Sequence, residues 1–222
     1  MQQRIAFFDF DGTITTRDTL LEFIKFSKGK PNFYVGFLLN SPWLVAFKCK
    51  LISNQTAKER ILRWFFRGQS LDDFQQRCDQ FARIVIPGLL RPKALQEVAR
   101  LQAAGATVVI VSASPGNWIR GWADTLNLAL IATRLETTPA VTGDGPTSFP
   151  VTGGSPSSHP SSPAPKLTGK IAGNNCYGEE KVRRIREIYT LSEYADINTY
   201  GDSSGDLPML KLGTNSFFKP FR

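Results

Sequence analysis

Two segments, Ile5-Ala6-Phe7-Phe8 and Val108-Val109-Ile110-Val111, are apolar at every position. A strand with one wet face alternates apolar and polar residues. These do not, so both of their faces must be covered, which is the condition of a parallel sheet flanked by helices. They predict strands over Arg4–Asp9 and Ala106–Ser112, and weaker runs add Ala129–Thr133, Asp196–Gly201 and Ser216–Phe218. Between them, Pro92–Ala104 carries Leu95, Val98 and Leu101 at three-residue steps and stops at Gly105, a helix with a normal C-terminal stop. Asn117–Leu126, Glu179–Tyr189 and Leu207–Leu212 read as further helices. Strands alternating with helices imply right-handed crossovers and an open α/β sheet. Ligands of such sheets bind beyond the carboxyl ends of the strands, where Asp9, Ser112 and Asp202 fall.

The alternation is interrupted once. Asp18–Ser27, Asn32–Lys50, Gln55–Phe66 and Leu71–Arg83 all read as helices. This predicts an all-helical cap over residues 16–86, inserted after the first strand of a core made of 1–15 and 87–222. Thr137–Thr168 differs in kind. Seven of the fourteen prolines lie there among Ser and Gly, with little to bury, so an irregular loop insertion is expected over 138–166, order resuming near Lys166.

Composition narrows the chemistry. Cys49, Cys78 and Cys176 are far apart and form no CxxC pair, which argues against a zinc site or a disulfide framework. The one histidine, His159, falls in the Pro/Ser-rich stretch, so acid–base or nucleophilic work is left to carboxylates, lysines and hydroxyls. The net charge of +8 suits an anionic partner, but it is spread along the chain with no nucleic-acid motif. There is no apolar run of membrane-spanning length and no secretory pattern at the N-terminus, so the expected location is the cytoplasm.

Four places carry candidate chemistry. Phe8-Asp9-Phe10-Asp11-Gly12-Thr13 sets two carboxylates at the end of an apolar strand, a costly arrangement unless a hard divalent cation sits between them. Asp9 suits a nucleophile, and Asp11 an acid that protonates a leaving oxygen and later activates water. Ser112, at a strand end before a helix, offers a phosphate cradle; taken alone, a helix N-cap is the commoner reading. Lys181 stands in the first turn of a helix, against the dipole, which suggests a task other than helix stability, although a lone lysine there usually faces solvent. Gly201-Asp202-Ser203-Ser204-Gly205-Asp206 places two further acids four residues apart after a strand.

In this order the four motifs resemble the haloacid-dehalogenase-like phosphohydrolase superfamily, and the Gly173–Ile185 segment with its helical insert is similar to the branch containing phosphoserine phosphatase. The resemblance implies a Rossmann-like α/β core and a phosphatase of small phosphorylated metabolites, working through an aspartyl-phosphate with Mg2+. By resemblance, Asp9 is nucleophile and metal ligand, and Asp11 is the general acid/base, giving its carbonyl to the metal. Ser112 and Lys181 hold the phosphoryl group, Asp202 binds metal and Asp206 supports it. Asp18 stands where phosphoserine phosphatases have a substrate-holding glutamate, Gly205 where they commonly have Asn, and Ala113-Ser114 where they have two glycines. Serine phosphate is therefore one candidate substrate among several.

Two other readings compete. Phe33–Leu39 and Trp43–Phe47 are intensely apolar and followed by Lys48 and Lys50. They form either the cap's own core or a peripheral contact with a bilayer, which would suit a phosphatase of phospholipid head groups. A non-catalytic phosphate-binding protein is the third reading. The sequence does not set the oligomeric state.

Overall fold

The structure, a computed structural model, describes residues 3–139 and 164–222. It begins with β1 (Gln3–Phe8), followed by five helices: α1 (Thr19–Lys28), α2 (Lys30–Leu39), α3 (Ser41–Lys48), α4 (Asn54–Phe66) and α5 (Leu71–Ile84). The short α6 (Ile86–Leu89) leads into α7 (Pro92–Ala103), β2 (Thr107–Pro115), α8 (Gly116–Thr125) and β3 (Ala129–Thr133). After these come β4 (Leu135–Thr137), β5 (Leu167–Ile171), α9 (Glu179–Ile188), β6 (Tyr194–Gly201), α10 (Leu207–Leu210) and β7 (Asn215–Phe218).

Five strands form one parallel sheet in the order β3-β2-β1-β6-β7. The chain steps outward from β1 through β2 to β3, then returns to the other side of β1 for β6 and β7. The winding reverses at β1, the place where such sheets open a crevice. Successive residues of β1 point to opposite faces. Ile5 and Phe7 pack with Val109, Ile185 and Met209 on the side of α9 and α10. Ala6 and Phe8 join Val98 and Trp118 on the side of α7 and α8. Both faces are dry, which is why the strand sequence does not alternate.

The helices between β1 and β2 share the second of these cores. The Phe23 ring lies 5.5 Å from Phe66, 5.4 Å from Phe74, 5.3 Å from Phe81 and 4.7 Å from Trp118 of α8. Each such pair adds about 0.5–1.5 kcal/mol beyond the area buried, so α1, α4 and α5 are held to α8 by one aromatic cluster.

Three local expectations change. The helix expected over Asn32–Lys50 breaks at Asn40, whose buried amide donates to Gly36 O at 2.8 Å, and Pro42 sits in the first turn of the next helix, where no N–H partner is needed. β2 runs past Ser112 to Pro115. β4 and β5, not expected as strands, pair antiparallel at the two ends of the stretch read as irregular, β5 starting where order was expected to resume; Leu167, Gly169 and Ile171 are buried in alternation, a period-2 signal masked by the adjacent Pro and Ser. The pair is tied on both sides: Thr138 N–H donates to Lys166 O at 2.8 Å, and Leu71 N–H to Pro165 O at 2.8 Å. Most of the expected loop insertion, residues 140–163 and with them His159, lies outside the described residues.

Candidate active site

β1 ends at Phe8, and the Asp9 N–H still donates to Tyr200 O of β6 at 2.9 Å, so Asp9 stands beside the end of that strand. The chain then wraps through one wide turn, Phe10–Ile14, closed by Thr15 N–H donating to Phe10 O at 2.9 Å. Gly12 sits there at φ +83°, and a Cβ on it would lie 2.4 Å from Asp202 Oδ2. Only glycine permits both the backbone and the approach of Asp202.

Lys181 Nζ lies at the centre. It donates to Asp9 Oδ1 at 2.6 Å, Asp206 Oδ1 at 2.7 Å and Val111 O at 2.8 Å, which satisfies all three ammonium protons in a fully buried position. Burial pushes the Asp9 carboxyl up to about 7, against the pull of the Lys181 charge and helped by Asp206 and Asp11. Asp206 is pushed up by burial too, yet the Lys181 ammonium and Ser203 outweigh this and hold it below the usual carboxylate range. Its Oδ2 accepts from Asp202 N–H at 3.2 Å, Ser203 N–H at 3.0 Å and Ser203 Oγ at 2.8 Å. Asp206 is therefore a bracket, one oxygen on the β6–α10 loop and the other on Lys181.

Asp11 is held from the helical side. Its Oδ1 accepts both the N–H and the hydroxyl of Thr19 at 2.6 Å, and the Thr19 hydroxyl accepts from Trp118 Nε1 at 3.1 Å. Asp11 Oδ2 faces the fully buried Ser112 Oγ at 3.4 Å. Ser112 is not a helix cap: α8 starts four residues later, after Pro115, and the Ser112 hydroxyl accepts from Ser114 N–H at 3.0 Å. Asp18 spends its carboxylate on the cap of α1, accepting from Leu21 N–H at 3.1 Å. Crowding by neighbouring atoms, then the Asp11 charge, raise its pKa to about 6. The residue is nonetheless exposed, and that exposure means solvent screens much of the rise.

Sequence reasoning missed Lys58, Thr19 and Tyr177. Lys58 of α4 donates to Ala113 O at 2.9 Å and to Asn175 Oδ1 at 3.3 Å, next to Ser112 in β2. Burial lowers its pKa, and the charges of Asp11 and Asp18 oppose that shift. The signal was present: Lys58 shares a helical stripe with Ile61, Leu62 and Phe65, all buried. Tyr177 explains Gly205, because a Cβ at 205 would lie 2.1 Å from the Tyr177 ring. The ring fills the space that a side chain there would need. For Thr19 the sequence offers no signal.

Two ammonium groups, Lys58 and Lys181, thus stand among five carboxylates, Asp9, Asp11, Asp18, Asp202 and Asp206. Asp9, Asp202 and Asp206 each bring an oxygen within 4.8 Å of the others. Asp202 also pairs with the Arg222 guanidinium. Among the described residues the Thr13 hydroxyl, on the same turn, is buried without a partner. Excess negative charge, an all-oxygen donor set and an unmatched hydroxyl fit a hard divalent cation with an oxyanion beside it. A groove of about 800 Å3 between α8, β4 and α9 contains none of these carboxylates, so the site is defined by its charges and not by cavity size.

The family model described as haloacid dehalogenase-like hydrolase matches residues 6–154 and 150–211. Protein CicA of Caulobacter vibrioides is 32% identical over 216 residues, covering 97% of this chain and 85% of that protein. A protein of unknown function from Bordetella pertussis Tohama I superposes with a TM-score of 0.73 at 22% identity, over 96% of this chain and 88% of its own. A phosphoserine phosphatase with an analogue of its phospho-aspartyl intermediate superposes with a TM-score of 0.60 at 16% identity, over 96% and 84%. At these identities the two structures share the fold.

Proposed function

The chain belongs to the haloacid dehalogenase-like hydrolase family, and from that premise we propose that it is a magnesium-dependent phosphatase that hydrolyses phosphate monoesters through an aspartyl-phosphate on Asp9. The observation that carries this reading is the buried Lys181 ammonium gripped by Asp9 and Asp206, with Asp11 on the adjoining turn. A non-catalytic phosphate binder has no use for a desolvated carboxylate next to a second one held ready to move a proton.

A carboxylate oxygen of Asp9 attacks phosphorus, and the bond from phosphorus to the ester oxygen breaks. Asp11 gives its proton to the departing alkoxide, which leaves as an alcohol. Ser112 holds a phosphoryl oxygen, and Lys181 holds another by turning one N–H from its present acceptor. Water then attacks phosphorus and gives its proton to Asp11. The bond from phosphorus to Asp9 breaks, and inorganic phosphate leaves with Asp9 and Asp11 restored. Thr19, itself oriented by Trp118, keeps Asp11 aimed at the ester oxygen. The Asp9 and Asp202 carboxylates and the Asp11 carbonyl would hold Mg2+, with Asp206 in support. Bound there, Mg2+ neutralises charge on the phosphoryl oxygens.

The substrate class we favour is a small phosphorylated metabolite. Asp18 and Lys58, at the helical side of the site, would select it, and phosphoserine is one member to try. A phospholipid head group is a second reading, favoured by the exposed apolar side chains of α2 and α3.

Hydrolysis of para-nitrophenyl phosphate with Mg2+ is the test. EDTA should abolish it, and Asp9→Asn should lower turnover by roughly 10³-fold or more. Near-normal turnover by Asp9→Asn would remove the covalent mechanism.

A further inference from the structure

Among the described residues fifteen large hydrophobic side chains are exposed, and seven of them fall between Tyr34 and Leu51. Tyr34, Val35, Leu38 and Leu39 form one stripe of α2, with Leu38 72% exposed; Trp43 and Val45 of α3 and Leu51 beyond it, the last 77% exposed, are the other three. These side chains are not a core awaiting contacts. The inner side of α2 is already packed through Phe33, Gly36 and Phe37, and Gly36 is so close to α4 that a Cβ on it would lie 2.3 Å from the Phe65 ring. The elbow at Asn40 is fixed from within, its amide donating to Gly36 O and its oxygen accepting from Arg60. The outward face is therefore apolar by construction, and isolated exposed hydrophobics would not cluster in this way.

Charge identifies what covers it. From Phe23 to Lys58 the chain holds six lysines and no acidic residue. Three of these lysines, Lys30, Lys48 and Lys50, are exposed at the ends of α2 and α3. A second copy packed on the same face would set these lysines against each other, whereas an anionic bilayer complements them. Helices of 10 and 8 residues cannot cross a membrane, and no described helix is long and apolar enough to do so, but both can lie flat in the head-group layer. Trp43, 42% exposed and beneath the Arg60 guanidinium at 4.9 Å, has the amphipathic character of an interfacial anchor.

We propose that the α2–α3 face is a docking surface for an anionic lipid bilayer, with Leu38 and Leu39 inserted and Lys30, Lys48 and Lys50 at the phosphate level. Neither helix supplies a residue to the Asp9–Lys181–Asp206 cluster, so docking and hydrolysis can be lost separately.

The experiment is co-sedimentation of the full chain with phosphatidylcholine vesicles, with and without phosphatidylglycerol, at low and high salt. Binding is expected only with phosphatidylglycerol and should weaken with salt. Leu38→Ser/Leu39→Ser should reduce binding about tenfold or more, and Lys48→Glu/Lys50→Glu by a similar factor, each with an unchanged melting temperature. Should either variant melt early, the wild-type indole fluorescence serves instead: anionic vesicles should shift it to the blue, and Trp43→Phe should remove that shift. Three results would overturn the proposal: no binding of the wild type, undiminished binding of the leucine variant, or a stable dimer that the leucine variant dissociates.

Discussion

The carboxylate centre and the α2–α3 face invert the usual rule of burial in opposite directions. The first buries Asp9, Lys181 and Asp206, charges that water would solvate well; the second exposes Leu38, Leu39 and Leu51, side chains that water rejects. The burial is sustained by partners, since every proton on Lys181 has an acceptor within 2.8 Å. The exposure has no such compensation inside the molecule. An unfavourable arrangement satisfied internally is machinery that works alone, and one left unsatisfied is a surface that works against something else.

Lys181→Met should be the most damaging way to test this contrast. It strands Asp9 and Asp206 in a dry site, and about 3–5 kcal/mol of stability should go with it, measured by urea unfolding. Adding Asp206→Asn should return part of the loss. A neutral Lys181→Met would show that the centre is wetter than its geometry implies.

Gly205→Asn, which restores the residue common in phosphoserine phosphatases, drives a side chain into the Tyr177 ring and should cost about 1–3 kcal/mol. Tyr177→Ala in the same chain should recover most of it, because the two positions share one space. Purely additive melting data would mean that they do not.

Glu180 tests a charge whose partners reach the surface. The Arg183 hydrogen bond first, then that of Arg184, pull its pKa from 4.5 to about 2 against the opposing effect of burial. A lowered carboxylate stabilises the fold above its unfolded pKa, and that stability disappears as pH falls from about 4.5 to about 2. Glu180→Gln should therefore cost about 1 kcal/mol at neutral pH, allowing for solvent screening at the half-exposed Arg183. The difference from wild type should vanish toward pH 2 in acid titrations of the melting temperature. A gap that widened in acid would reverse the sign.

The smallest effect belongs to the apolar face. Leu38→Ser/Leu39→Ser should change stability in vesicle-free buffer by no more than about 0.5 kcal/mol, because these side chains are mostly exposed in the free protein. A loss of 2 kcal/mol would make them core residues and erase the contrast.

Much of this was legible in the residue order. The unalternating strands announced a sheet covered on both faces, and Asp9, Asp11, Ser112, Lys181, Asp202 and Asp206 were singled out at expected strand ends and helix starts, although β2 in fact runs on past Ser112. Lys58 was passed over although its place on a buried stripe was a usable sign. β4 and β5 were lost because five residues of alternation are a faint pattern beside a long run of Pro and Ser. The break at Asn40 was signalled by Asn40-Ser41-Pro42 between two apolar runs, although the stretch as a whole read as helical.

Taken alone, the sequence determined the sheet strands, most of the helices and the motifs placed along them, since these follow from local periodicity and from where charge is placed along the chain. Only the tertiary structure decided that Lys181 bridges Asp9 and Asp206, that Thr19 and Trp118 hold Asp11, and that one side of α2 packs on Phe65 while the other meets solvent. Those outcomes depend on distances between residues far apart in the chain, and such distances are set by how whole elements pack, a quantity that no stretch of sequence carries by itself.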